Sequence, residues 1–247
     1  MPSRFLVVLY ILSACISERS EEKVDEVVLE ERVPQTVEVI AETGAYTDYE
    51  DSLLNQGFVD LAAEDSTLLV DLKYASSDNF LDTVLYGSLH HAFGVVELSE
   101  ELQLAGQILR TTHPKHQLKV FDALRPRSIQ HAMWEQVKHT DKRKYVAAPS
   151  GSGSMHNYGC AVDLTIVDSL GQELDMGSAF DFFGPAAEYR YNWDLLRSGE
   201  LSQEQVDNRV LLRTIMRQAG FHSIDSEWWH FNLSNREYIK SKYTIVD

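Results

Sequence analysis

Cysteine is nearly absent from this 247-residue chain: there are two, Cys15 and Cys160, and Cys15 closes an N-terminal apolar stretch. A disulfide framework is therefore excluded as the source of stability. Basic residues are scarce too, 22 Lys and Arg against 38 Asp and Glu, for a formal charge of −16. That balance argues against nucleic acid as a partner, because phosphate binding needs clustered cations. No apolar run reaches the ~20 residues of a membrane-spanning helix, and no internal repeat is visible. What the chain does have is 44% apolar residues, enough for one substantial core at this length.

The acidity is uneven. Residues 16–65 hold 15 acidic and 3 basic side chains, whereas residues 66–247 hold 23 and 18. Ahead of the acidic stretch, Arg4 precedes an apolar run from Phe5 to Leu12, and Ser13 and Ala14 precede Cys15. This order is that of an export signal over residues 1–14. Leu12-Ser13-Ala14-Cys15 resembles the lipobox of bacterial lipoproteins, which implies a diacylated Cys15 and an anchor on the periplasmic or cell-surface side; plain secretion is the alternative. Residues 15–52 read as a lipidated N-terminus followed by an acidic flexible linker, with too little apolar surface to offset the entropy of ordering. The folded domain is expected over residues 53–247.

Within it, residues 68–74 and 118–124 are short apolar, β-branched runs suited to strands. Val162, Leu164 and Ile166 alternate with Ala161, Asp163 and Thr165, so one strand face is apolar and the other carries the carboxylate; residues 228–233 read as a last strand. Helices are expected over 99–112, 127–139 and 203–219. The last is framed by a Ser202/Gln205 capping box and the stop at Gly220. Strands and helices mix without a βαβ rhythm, which gives an α+β single domain with a mainly antiparallel central sheet flanked by helices.

The chemistry concentrates in two strings. In GSGSMHNYGCAVDLT (residues 151–165), His156 sits in a glycine- and serine-rich loop and Asp163 on the following strand. On one straight strand residues seven apart face opposite ways, but a turn at Asn157 to Gly159 breaks that parity and lets the pair share a metal. Near the C-terminus comes Glu227-Trp228-Trp229-His230. An imidazole with a carboxylate three residues before it suits a hydrolytic zinc site, where three protein ligands leave a position for water and a free carboxylate, here Glu227, takes its proton.

Together, Ser154-x-His156-x-x-Gly159-x-Ala161-x-Asp163 and Glu227-x-Trp229-His230 resemble the motifs of the zinc D,D-peptidases. Asp71-Leu72-Lys73-Tyr74-Ala75 with Asp78-Asn79-Phe80, Asp122-Ala123-Leu124-Arg125-Pro126, and Met176-Gly177-Ser178-Ala179-Phe180-Asp181 resemble the D-alanyl-D-alanine dipeptidase branch. The resemblance spans residues 68–233 and implies one Zn²⁺ per chain, in a cleft, bound by His156, Asp163 and His230. It further implies Glu227 as general base and then acid, Arg125 stabilising the oxyanion, Asp181 meeting the ammonium group of a small dipeptide, and Ser154 touching substrate near the same end. Ala123 and Leu124 depart from the Gly and Tyr common before that arginine, and Cys160 occupies a variable position. The implied reaction is hydrolysis of D-alanyl-D-alanine. A D,D-carboxypeptidase with the same metal, or a non-catalytic zinc-dependent peptide-binding lipoprotein, are the alternatives; the latter has no need of Glu227.

Other conspicuous residues have plainer readings. His90 and His91 are expected to point apart on a strand, His131 and His222 to be local hydrogen-bonding groups, and the four tryptophans to fill the core. Cys160 reads as a small buried residue, and Arg125 has a structural alternative as partner of Asp122. No protein partner can be inferred.

Overall fold

The computed structural model describes residues 45–247; Cys15, the apolar run before it and the acidic stretch through residue 44 lie outside the described residues. Among the described residues, no helix is long and apolar enough to cross a membrane. The chain begins with α1 (Asp48–Asn55), β1 (Val59–Asp60), α2 (Leu61–Glu64), β2 (Leu69–Val70) and β3 (Phe93–Gly94). Then come α3 (Val96–Thr112), β4 (Gln117–Asp122), α4 (Arg127–Val137) and β5 (Ala161–Val167). It ends with α5 (Asn192–Ser198), α6 (Gln203–Gln218), β6 (His222–Ser223), β7 (His230–Asn232) and α7 (Arg236–Lys242). One five-stranded sheet has the order β2-β4-β5-β7-β6, antiparallel except for the β2–β4 pair; β1 and β3 form a separate antiparallel ribbon. The α+β class with a mainly antiparallel sheet is thus what the molecule adopts.

Its core follows from helix periodicity. Leu98, Leu102, Ala105 and Leu109 recur three or four apart along α3 and are buried, as are Val206, Leu212, Ile215 and Met216 on α6. The Ser202/Gln205 capping box closes in both directions. The central strand β5 is buried along its whole length, on both faces, rather than on the apolar face alone. At residues 68–74 only Leu69–Val70 is strand. From Lys73 to Ala75 the backbone tightens into a 3₁₀ turn, and the Tyr74 carbonyl accepts from the Leu85 and Tyr86 amides at 2.9 Å each. Those bonds replace a ladder and aim Tyr74 inward. Trp228 and Trp229 are buried as expected, whereas Trp193 is 53% exposed and outside the core.

The start of the domain also lies earlier than residue 53. Thr47 caps α1 in a reciprocal capping box with Glu50, and the Thr47 hydroxyl donates to the Ser88 carbonyl at 2.7 Å. Glu50 is fully buried: one carboxylate oxygen accepts from the Thr47 amide (2.9 Å), the other from the amides of His90 (2.7 Å) and His91 (2.9 Å), and it lies 3.0 Å from His91 Nδ1. His90 and His91 are therefore not on a strand; both turn their backbone N–H groups onto one carboxylate. An acid in an acidic, glycine-poor stretch looks like solvated linker by composition, and only its long-range partners reveal a structural anchor.

Burial by itself pushes the Glu50 carboxyl up, but the amides of Thr47 and His90 and the His91 ring and amide outweigh it and hold the pKa at about 2. A carboxyl depressed by folding stabilises above its unfolded value, and the contribution disappears as pH falls from about 4.5 to about 2. Glu50→Ala is expected to cost about 2 to 4 kcal/mol, since it strands buried donors. Urea titrations at neutral pH check this, and a series down to pH 2 should show a flatter acid limb in Glu50→Gln. A chain starting at residue 53 should be less stable than one starting at residue 45 by at least as much as Glu50→Ala.

Candidate active site

Strand register builds half of the site. Across the antiparallel pair β5–β7, Asp163 stands opposite His230, so the two side chains share a face. On the other side of β5 the register with β4 shifts between Val120 and Asp122, a bulge that sets Asp122 rather than Phe121 opposite Asp163. Such an extra residue re-aims the side chains after it, and here it brings a carboxylate and, through Ala123 and Leu124, Arg125 to the same place.

The loop before β5 supplies the other half. Residues Met155–Tyr158 form a 3₁₀ turn capped by Ser154, whose hydroxyl accepts from the His156 amide at 3.4 Å. Asn157, fully buried, accepts from the Ser154 amide (2.8 Å) and donates to the Arg125 carbonyl (2.7 Å), while the Arg125 amide donates to the His156 carbonyl (3.0 Å). Gly159 ends the turn in the left-handed region at φ 64°, and a Cβ there would sit 2.8 Å from the Phe58 ring. Only glycine satisfies both demands. This is the turn that breaks strand parity and folds His156 over Asp163.

Ligand atoms of His156, Asp163 and His230 all lie within 4.8 Å of one another. The His156 Nδ1 is 2.7 Å from the Ala123 carbonyl, which only accepts, so Nδ1 holds the proton and Nε2 turns its lone pair inward. His230 is the mirror case: Nε2 faces Asn232 Oδ1 at 2.9 Å and Nδ1 points inward. The two inward nitrogens are 3.1 Å apart, and Asp163 Oδ1 is 3.4 Å from the first and 2.9 Å from the second. Three lone-pair donors facing one point, each ring locked by an outer acceptor, is an arrangement that a cation satisfies and neutral imidazoles do not. Burial alone would raise the Asp163 carboxyl; His156 and His230 hold it well below the ordinary carboxylate range.

Around this centre the charges are sorted by environment. Arg125 donates from Nε to Asp122 Oδ2 (2.8 Å), with Nη2 on the same oxygen; Nη1 reaches Gln130 Oε1 (3.0 Å), and Nη2 lies 3.5 Å from Asp163 Oδ2. Arg125 is thus Asp122's partner and a wall of the cleft at once. Tyr86 donates to the other Asp122 oxygen at 2.5 Å. Glu227 stands with Oε2 4.0 Å from His230 Nδ1, outside the ligand set. Burial pushes its carboxyl up to about 7, with His230 pulling down and Asp163 and Asp181 pushing further up. Asp181 receives both contacts of the Tyr74 hydroxyl (2.9 and 3.1 Å), and burial raises it likewise to about 7.

His156, Asp163, His230, Glu227, Arg125, Tyr74 and Asp181 line one cleft of about 410 Å³, which is within the usual range of small-ligand sites. Every site residue expected in the described part, namely Ser154, His156, Asp163, Asp181, Glu227, His230 and Arg125, borders it. Asp122 is the Arg125 partner that the sequence offered, whereas Tyr74, Gln130, Asn157 and Asn232, which orient the other groups, were not expected in that role. Tyr74 and Asp122 stood inside the motif strings already singled out; Gln130 and Asn232 carry no local signal. His222, on β6, also borders the cleft, beyond the local role expected for it.

The sequence pattern of a family described as D-ala-D-ala dipeptidase matches residues 54–246. The chain is 34% identical over 178 residues to the D-alanyl-D-alanine dipeptidase of Escherichia coli (strain K12), covering 71% of this chain and 83% of that protein. It is 29% identical over 189 residues to the D-alanyl-D-alanine dipeptidase of Enterococcus faecium, covering 70% and 89% respectively.

Asp181 carries a stability signature. Its folded pKa lies above the unfolded one, so the unfolded chain ionises first and stability falls as pH rises from about 4 towards about 7. Asp181→Asn keeps the acceptor for Tyr74, and Asn tolerates the φ of 59° found here. The variant is expected to match the parent near pH 4 and to exceed it at pH 8 by about 1 to 3 kcal/mol in urea unfolding.

Proposed function

The chain belongs to the D-ala-D-ala dipeptidase family, and from that membership we propose that it hydrolyses free D-alanyl-D-alanine to two molecules of D-alanine, using one zinc ion held by His156, Asp163 and His230. The observation that carries this reading is the convergence of three lone-pair ligands beside a free carboxylate and an arginine in a small cleft. Two imidazoles and one carboxylate match the donor set of catalytic zinc. Zinc bound there supplies Lewis acidity, which polarises the scissile carbonyl and makes water a competent nucleophile at neutral pH.

The chain's own groups do the rest. Glu227, raised to about 7 by burial, is poised to take a proton from the attacking water and to return it to the leaving amine. Arg125 is held in place by Asp122 and Gln130, with its second Nη1 N–H available to the developing oxyanion. Burial works against that charge, but Asp122 together with the neighbouring Tyr74, Tyr86 and Asp163 outweighs it, so Arg125 keeps its charge. Tyr74 and Asp181 form a receptor for the substrate's ammonium group, and Ser154 borders the same cleft. An N-acylated peptide offers no cation to Asp181, which favours the free dipeptide over a peptidoglycan stem.

The order of Arg4, the apolar run and Leu12-Ser13-Ala14-Cys15 supports export and lipid anchoring through Cys15. The domain would then act at a membrane surface, on dipeptide outside the cytoplasm.

Purified protein is expected to release D-alanine faster from free D-alanyl-D-alanine than from an N-acylated tripeptide ending in D-Ala-D-Ala; the reverse order would favour a carboxypeptidase. Glu227→Ala should lower turnover by about 10²-fold or more while metal analysis still finds one zinc per chain. Full activity in that variant would remove Glu227 from the mechanism. Cys15→Ala should move the protein from the membrane pellet to the soluble fraction of cells.

A further inference from the structure

Beside the catalytic cleft lies a second chamber of about 380 Å³, bounded by polar groups of residues 73–82, by Glu173 and by Phe121 and Phe180. Phe80 and Asp181 are the two residues that border both spaces. Phe80 presents its ring edge-on to Phe183 at 5.0 Å and to Tyr74 at 6.5 Å. Tyr74 is the residue that donates to Asp181, and Phe183 follows Asp181 by two positions. The ring therefore stands between the two spaces next to the carboxylate.

We propose that Phe80 is a fixed septum that closes the side chamber off from the cleft and so restricts the amino-terminal residue of the substrate to a small side chain. The proposal rests on the dipeptidase reading above, in which the ammonium group meets Asp181. The side chain of that residue leaves the same carbon as the ammonium nitrogen, so it must project within a few ångströms of Asp181 and against its aromatic neighbours. With Phe80 in place it meets a ring; without Phe80 it meets an adjoining space nearly as large as the cleft itself.

The septum is a wall and not a swinging door, because its loop is pinned from behind. The Asn79 side-chain amide donates to the carbonyls of Lys73 (3.2 Å), Ser76 (2.8 Å) and Thr83 (2.9 Å), and its oxygen accepts from the Leu81 amide (3.0 Å). The aromatic neighbours hold the ring itself from the other side. A pocket bounded by such a rigid ring discriminates by excluding extra methylenes, which commonly changes kcat/KM by about 10-fold or more per group.

The test compares kcat/KM for D-alanyl-D-alanine and D-methionyl-D-alanine in the full-length zinc-loaded protein and in Phe80→Ala, Phe80→Leu and Phe182→Ala. Phe182 is exposed, neighbours the same segment and borders neither space, so it serves as the control. The ratio of D-methionyl to D-alanyl substrate is expected to rise about 10-fold or more in Phe80→Ala, less in Phe80→Leu, and to stay unchanged in Phe182→Ala. Because a ratio cancels any loss of folded protein, partial unfolding of Phe80→Ala does not mask the effect. An unchanged ratio in Phe80→Ala, or an equal rise in Phe182→Ala, overturns the septum while leaving the dipeptidase reading intact. A parent protein that cleaves neither dipeptide overturns both.

Discussion

Asp163 is a carboxylate taken almost wholly out of water, and a charge so placed persists only where cations or strong donors surround it. Much of the architecture around the sheet can be read as meeting that demand. The central strand carries Asp163, the strand on one side brings His230 opposite it, and the bulge on the other side brings Asp122 with Arg125. The 3₁₀ turn of residues Met155–Tyr158 then lays His156 over it. Each partner is itself tied: His156 to Ala123, His230 to Asn232, Arg125 to Asp122 and Gln130. Rings and guanidinium held by outer acceptors, a backbone carbonyl, two side-chain amide oxygens and the Asp122 carboxylate, keep their orientation in advance, which is the property a metal centre needs in order to be preorganised.

The site holds four acidic side chains in different states, three on the cleft wall and Asp122 buried behind Arg125. Asp163 is pulled low by the imidazoles, Asp122 is committed to Arg125 and Tyr86, and Glu227 and Asp181 are pushed up by burial. Environments that drive like groups apart are how one fold keeps the same chemical type in different protonation states side by side. Leaving Asp181 and Glu227 easily protonated also lowers the electrostatic cost of crowding acids in one place.

Stability and function meet again at the edge of the domain. Glu50 ties the first helix to the segment at His90 and His91, and the following ribbon places Phe93, whose carbonyl receives the Leu124 amide one residue before Arg125. The N-terminal helix is thus a brace behind Arg125 rather than the end of a spacer.

What the sequence indicated by itself was the class and the candidate chemistry: two motif strings pointed to His156, Asp163, His230 and Glu227, two further segments pointed to Arg125 and Asp181, and local apolar patterns and caps pointed to helices and strands near α3, α4, α6, β4, β5 and β7. Local signals suffice there because helix periodicity, capping and ligand type are properties of neighbouring residues. Tertiary structure alone decided what depends on distant partners. The Glu50 anchor joins residues forty apart, and the bulge at Phe121 shows only against the register of a second strand. Likewise the Asn232 and Ala123 acceptors that fix each imidazole, and the Phe80 wall between two spaces, exist only once the chain closes on itself. A buried polar group is satisfied by whatever the fold brings to it, and that pairing is not written in any short stretch of sequence.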